Sequence, residues 1–276
     1  MGKRILVSVI AIPLLAYIIY APYAHNLLFF LFLLALSTLA AREIHLLTGN
    51  IAPFKGQGAS VLWFVLPPIF LYGAAFTNHF LNVTPDAMLY TAVGIITALS
   101  VLSLILFGVR EGSRKLVFFC ASAVYAGVCT LLILQLRGEH RGFMYVYFLF
   151  SASWVSDAAA YIIGSRFGRR KGIVACSPNK SLEGYVGAFV VTMIMANGFK
   201  LLFRSGFDPT LLQVNLLGFC IALTAPLGDL GESCFKRKAG VKDSSSLFPG
   251  MGGVLDIFDS ILFSVPVYYV LVMYII

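Results

Sequence analysis

Apolar residues fall in nine blocks, approximately 5–22, 26–41, 58–76, 88–107, 116–136, 143–163, 184–203, 211–228 and 258–276, divided by short polar stretches. Each block approaches the ~20 residues that carry an α-helix across a bilayer core. The blocks are continuous rather than alternating, which excludes a transmembrane barrel with its period of two. In lipid a segment must satisfy its own backbone hydrogen bonds, so helices remain. The pattern predicts an all-α, polytopic transmembrane bundle of about nine spans. Pro67-Pro68 predicts a kink in the third span, because proline removes a donor and crowds the preceding turn. Ile5 to Ala21 follows Lys3-Arg4 much as a signal peptide would. It is longer than a usual apolar core and no A-x-A-like site follows, so it reads as a retained first span.

Composition points the same way. Charged residues make up 12% of the 276, against about 25% in soluble domains, and mean hydropathy is +0.90. Charge then sets orientation. With the N-terminus cytoplasmic, sixteen of the 20 Lys and Arg fall in cytoplasmic loops, and only Arg137, Arg141, Lys200 and Arg204 fall opposite. That bias predicts N-in, C-out. The net charge of +8 is therefore a feature of loops facing an anionic leaflet and of an anionic substrate, not a nucleic-acid signal. No internal repeat of the transporter kind is visible. Gly49 to Gly58 and Gly108 to Lys115 are the seams. They divide the chain into 1–110, with spans 1–4, and 111–276, with spans 5–9 and the acidic and basic loops.

The five cysteines show no C-x-x-C spacing and mostly lie in or beside apolar runs, where small buried thiols are expected. The four histidines are scattered, and no zinc site or serine triad follows from local spacing.

Chemistry concentrates in two loops assigned to the cytoplasm. In the first, Ser156 to Gly187, Asp157 falls inside the sixth span, where a carboxylate costs about 2.5–3.5 kcal/mol on insertion scales. It should face a wet cavity or a partner. Arg166, Arg169, Arg170 and Lys171 read as positive-inside anchors. Ser177 or Ser181 is placed to cap the seventh helix, with Glu183 in its first turn. Capping leaves Lys180 unexplained. In the second loop, Ala225 to Ser260, Asp229 and Glu232 lie three residues apart, as do Asp256 and Asp259, hence on one face of a helix. Magnesium typically takes one or two carboxylates plus phosphate oxygens. Two acidic helix ends around a Lys/Arg-rich loop therefore suggest a magnesium-triphosphate site. Gly250, Gly252 and Gly253 would let the backbone approach phosphates closely. No GK[ST] follows, so this is not a Walker loop.

Taken together, Ser233-Cys234-Phe235-Lys236-Arg237, Lys242-Asp243 and Pro249-Gly250-Met251-Gly252-Gly253-Val254-Leu255-Asp256-Ile257-Phe258-Asp259 resemble the signature of the phosphatidate cytidylyltransferases. These are the CDP-diacylglycerol synthases of phospholipid biosynthesis. Asp157 with Ala160-Tyr161 and Gly164, and Ser177-Pro178 with Lys180 and Glu183-Gly184, are similar to a second block of that family. The resemblance is detailed from about residue 150 to 262; earlier it rests on the span pattern and Glu43. Met251 stands where the family has histidine, and Ile257 where it has arginine. Asn179 and Leu182 are milder departures.

The resemblance implies a transferase that joins CTP and phosphatidate into CDP-diacylglycerol and pyrophosphate, with magnesium, leaving a second cation open. It implies a multi-pass inner-membrane enzyme, active site facing the cytoplasm, and a homodimer. Asp229, Asp256 and Asp259 are assigned to metal, with Asp229, Asp256 and Lys242 as catalytic groups. Ser177, Lys180, Glu183, Lys236, Arg237, Asp243, Gly252, Gly253 and Asp157 are assigned to substrate. A phosphatidate phosphate has a second pKa near ~6, so it needs no general base. Two rivals stand beside this reading. One is a CTP-dependent lipid kinase acting on a polyprenol-type alcohol, which would want a base. The other is an ion-coupled transporter, against which the acids cluster at one membrane face and repeats are missing.

Overall fold

The computed structural model describes residues 2–20, 27–51, 123–248 and 250–276. Every regular element among them is helical. The helices are α1 (Gly2–Tyr20), α2 (Leu27–Ile51), α3 (Cys129–Gly138), α4 (Gly142–Phe167), α5 (Leu182–Leu202), α6 (Leu211–Lys238) and α7 (Val254–Tyr274). A π-helical stretch, Ala123–Val128, leads into α3. Five helices, α2 and α4 to α7, are long and apolar enough to cross a membrane. The all-helical, membrane-spanning architecture is thus as the hydrophobic pattern predicts. The spans expected at 58–76 and 88–107, the Pro67-Pro68 kink and the seam at 108–115 lie outside the described residues.

Two helices run about ten residues beyond their apolar blocks. α2 continues past residue 41 to Ile51, and α6 past residue 228 to Lys238. One acid in each extension faces inward: Glu43 is 2% exposed and Glu232 7%. A charged residue ends an apolar run without ending a helix when its partner lies inside the protein.

Local signals set the ends. Thr210 and Gln213 form a reciprocal capping box on α6, with Thr210 N–H donating to Gln213 Oε1 at 2.7 Å. Lys236, Arg237 and Lys238 occupy the last turn of the same helix, where cations complement the dipole. α4 begins after Arg141, a left-handed residue at φ 54°. Its guanidinium donates to Asp208 Oδ1 at 2.7 Å and to the Ser205 carbonyl at 2.8 Å, tying α4 to the α5–α6 connection.

α4 packs most extensively on α5, α7 on α6, and α5 on α6. The outward faces carry apolar stripes at helical spacing: Val186, Val190 and Ile194 on α5; Leu212, Leu216, Phe219 and Leu223 on α6; Phe263, Val267 and Val270 on α7. Exposed apolar surface so continuous belongs against lipid. Inside, Phe148, Phe199, Phe207 and Tyr268 stack near the start of α4. The buried Tyr268 hydroxyl donates to the Tyr145 carbonyl at 2.9 Å, as a phenol removed from water must. Between α5 and α6, Asn197 and Asn215 exchange side-chain hydrogen bonds of 3.0 and 3.3 Å, a polar link of the kind that joins helices in lipid. The aromatic cluster fills one end of the bundle and leaves the other, where α4 and α6 finish and α5 and α7 start, to polar groups.

Candidate active site

The loop between α4 and α5 is built on its own backbone. Leu182 N–H donates to the Arg170 carbonyl at 3.2 Å, and Gly172 N–H to that of Pro178 at 3.0 Å. Ser181 caps α5, its Oγ accepting from Gly184 N–H at 3.2 Å. The Glu183 carboxylate turns back and accepts the N–H groups of Arg169 and Arg170 at 3.2 Å each. Glu183 is thus engaged with the loop itself. Ser177 contributes its carbonyl, which accepts from Lys180 N–H at 3.2 Å.

This loop folds over α6, and a disulfide joins Cys176 to Cys234 with 4.9 Å between their Cα atoms. Cys129 and Cys220 are buried free thiols, as their apolar surroundings predict. Cys176 and Cys234 depart from that expectation because tertiary folding brings together two positions 58 residues apart. Cys120 lies outside the described residues.

Two lysines meet the acids. Lys180, in the α4–α5 loop, pairs with Asp229 of α6 at 2.6 Å. Lys236 bridges Glu232, one turn earlier on α6 at 2.8 Å, and Asp256 of α7. Asp256 Oδ2 also accepts Ser244 N–H at 2.8 Å, Ser244 O–H at 2.7 Å and Gly253 N–H at 2.7 Å. Deeper in, Ser260 Oγ lies 2.8 Å from Asp157 Oδ2 and 3.0 Å from Asp259 Oδ1, which also accepts Ser260 N–H at 2.6 Å. Asp259 lies near enough to Asp157, Asp229 and Glu232 for like-charge repulsion, and Asp157 to Asp229. A cavity of about 350 Å³ opens beside them, lined among others by Asp157, Tyr161, Lys171, Asn179, Lys180 and Asp229.

The glycine-rich turn before α7 approaches the chain's own carboxylates. Gly252 takes φ +93°, and a Cβ there would run into the Asp256 carboxylate. A Cβ at Gly253 would run into Ser244 Oγ and both oxygens of Glu43. The N–H groups of Val254 and Leu255 donate to Glu43 at 3.0 and 2.8 Å. Glu43, from α2, and Ser244 and Ser260 are the site residues that the local patterns leave out. The signal for Glu43 was a carboxylate beside an apolar run, which in a membrane has to be partnered.

The residues singled out from the sequence therefore divide. Asp157, Lys180, Asp229, Lys236, Asp256 and Asp259 converge, and Glu232 joins them. Arg237 donates instead to the Val241 carbonyl at 3.2 Å on the exposed rim, and Lys242 and Asp243 are exposed. Ile257, where arginine was expected, packs against the hydrophobic core.

For a metal, the donor chemistry is hard oxygen. Among the described residues no three His, Cys, Asp or Glu side chains stand ready as a complete cluster. Magnesium does not need one, since it usually keeps waters and phosphate oxygens beside one or two carboxylates. Glu232 Oε1 is buried without a donor, next to Asp259. Two facing carboxylates call for a proton or a cation between them. Asp229, Glu232 and Asp259 thus fit a hard cation, whereas Asp256 already accepts four hydrogen bonds.

A sequence profile of the Cytidylyltransferase family matches residues 2–275. The chain belongs to this family. Over 155 residues it is 35% identical to the phosphatidate cytidylyltransferase of Bacillus subtilis (strain 168), covering 56% of this chain and 57% of that protein. Over 154 residues it is 36% identical to the phosphatidate cytidylyltransferase of Staphylococcus saprophyticus, covering 55% and 58%. The Staphylococcus aureus (strain COL) protein of the same name is 37% identical over 157 residues, with 55% and 58% covered. The chain thus spans a little over half the length of these relatives in the matched segment. In this family member Asp157, Lys180, Lys236, Asp256 and Asp259 lie in the two blocks whose resemblance was noted above, and Asp229 and Glu232 lie just ahead of Ser233.

Proposed function

We propose that the chain transfers the cytidylyl group of CTP to phosphatidate, forming CDP-diacylglycerol and releasing pyrophosphate. The observation that carries this is the convergence of two lysine–carboxylate pairs, Lys180–Asp229 and Lys236–Asp256, beside a cavity walled by lipid-facing helices. Both substrates are phosphate anions, one soluble and one anchored in the bilayer. A cavity at the end of a membrane bundle that sets Lys171, Lys180, Asp157 and Asp229 into a largely apolar wall serves both.

An ionised phosphatidate oxygen attacks the α-phosphorus of CTP, a new P–O–P linkage forms, and the bond to the β-phosphate oxygen breaks. Pyrophosphate carries away the electron pair, so no proton has to be abstracted. The protein supplies charge neutralisation and alignment. Lys180, with Lys171 on the same wall, is placed to meet phosphate oxygens, and Asp229 keeps Lys180 oriented until they arrive. Lys236 holds Asp256 and Glu232 against each other's repulsion. Asp229, Glu232 and Asp259 would hold magnesium, which when bound offsets the triphosphate charge and polarises the transferred phosphorus. The exposed Lys242 and Arg237 are then the first cations an approaching nucleotide meets, which raises its local concentration rather than its reactivity. The basic residues gathered at this end support a cytoplasmic-facing site.

The test is purified protein in detergent with labelled CTP and phosphatidate. Phosphatidate-dependent pyrophosphate release together with CDP-diacylglycerol is the expected result. Release of CDP with a phosphorylated alcohol would replace it with the lipid kinase.

A further inference from the structure

Glu43 belongs to α2, far in sequence from every residue of the site, and it is 2% exposed. Among the described residues no lysine or arginine pairs with it. Three donors do. Oε1 accepts the Ser245 hydroxyl at 2.7 Å and Val254 N–H at 3.0 Å. Oε2 accepts from Leu255 N–H at 2.8 Å and lies 2.7 Å from Ser244 Oγ. Val254 and Leu255 open α7, so their N–H groups are among those the helix itself leaves unsatisfied. The carboxylate thus occupies the anion-binding position that a helix N-terminus offers. Gly253 carries no Cβ in the one place where a Cβ would collide with it.

The same turn is gripped from the other side by Asp256, which takes Ser244 N–H and Gly253 N–H on Oδ2 and leaves Oδ1 to Lys236. Ser244 Oγ lies 2.7 Å from both carboxylates. From this geometry we infer that Glu43 is a positioning residue: it clamps the 244–255 turn, and so fixes the Asp256 carboxylate against Lys236 and Glu232. Without it, Val254 and Leu255 N–H and the Ser245 hydroxyl lose their acceptor together. The nearest replacement is Asp256, which would have to leave its place to serve them. With Glu43 present, the start of α7 is closed to phosphate, and the anions are directed to the lysine side of the cavity.

The kinetic arm of the test rests on the proposed function; the exchange arm does not. Glu43→Gln keeps the shape but puts an amide N–H₂ against N–H donors. In the full chain in detergent, mass-spectrometric amide exchange over 244–256 should quicken by about tenfold or more, confined to that turn, if local opening there is controlled by the clamp. Turnover per folded molecule should fall about 10- to 100-fold, by analogy with the loss of the hydrogen-bonding partners that orient metal ligands. KM for CTP should stay within about threefold, because the lysine wall is untouched. Ser245→Ala, which removes one donor of the three, should quicken the same amides to a smaller extent and gives a reading even where Glu43→Gln folds poorly. Unchanged exchange in both variants would overturn the clamp. Faster exchange with full turnover would overturn the positioning role, as would a lower yield with unaltered turnover per folded molecule. Absence of CTP turnover in the unaltered protein would overturn the proposed function instead, and exchange would still decide the clamp.

Discussion

Lys180 and Lys236 each hold an aspartate, in different surroundings. The Lys236 side chain is 12% exposed, between partners at 3% and 7%. Lys180 and Asp229 are 25% and 35% exposed. Removing one member of a buried pair leaves an uncompensated charge and costs about 3–5 kcal/mol, whereas a pair reached in part by water is screened and loses less. Lys236→Ala should therefore lower stability by about 3–5 kcal/mol, seen as a marked fall in melting temperature in detergent. Lys180→Ala should lower the melting temperature less than Lys236→Ala and lower CTP turnover by at least about tenfold, as expected for losing an electrostatic contact to a reacting phosphate. The opposite pattern would make Lys180 structural. Asp229→Asn should lower turnover by about two orders of magnitude with a small thermal effect. Asp256→Asn should lower both, because Asp256 also caps Gly253 and partners Lys236.

At the scale of elements, the loop 168–181 is the connection that needs fastening. Glu183, the Ser181 cap and the Cys176–Cys234 bond fasten it to the start of α5 and to α6. Closing a separation of 58 residues stabilises by about 3–5 kcal/mol in the chain-entropy picture. A dithiol reductant, or Cys234→Ser, should lower the melting temperature of the purified protein, and Cys234→Ser should abolish the reductant's effect. A reductant effect that survives Cys234→Ser would place its cause elsewhere. Legibility differed between elements for a physical reason. The Ser181 cap could be read from the sequence because its partner is three residues away. The ends of α2 and α6 could not, since their inward-facing acids look from sequence alone like the edge of a span.

At the scale of the whole molecule, the charge asymmetry predicts sidedness. A single cysteine introduced at position 171 or 245 should react with an impermeant thiol reagent from the cytoplasmic side, in inverted vesicles and not in intact cells. Labelling from outside would reverse the orientation and remove the site from its CTP supply. Membrane class, helical architecture and the chemical character of the two polar loops were determined by the sequence itself. Span length, hydropathy and positive-inside bias are local or additive properties, and they survive without knowledge of any contact. Which polar groups meet was decided only by tertiary structure. Nothing in spacing joins Glu43 to Val254 and Leu255, 211 and 212 residues away, or divides Lys180 and Lys236 between Asp229 and Asp256. The glycines before α7 illustrate the limit. Their freedom was legible, but whether they make room for a phosphate or for a carboxylate of the chain depends on what α2 brings beside them. A hydrogen bond is a short-range, directional interaction, so its partner is known only when the fold has set both ends.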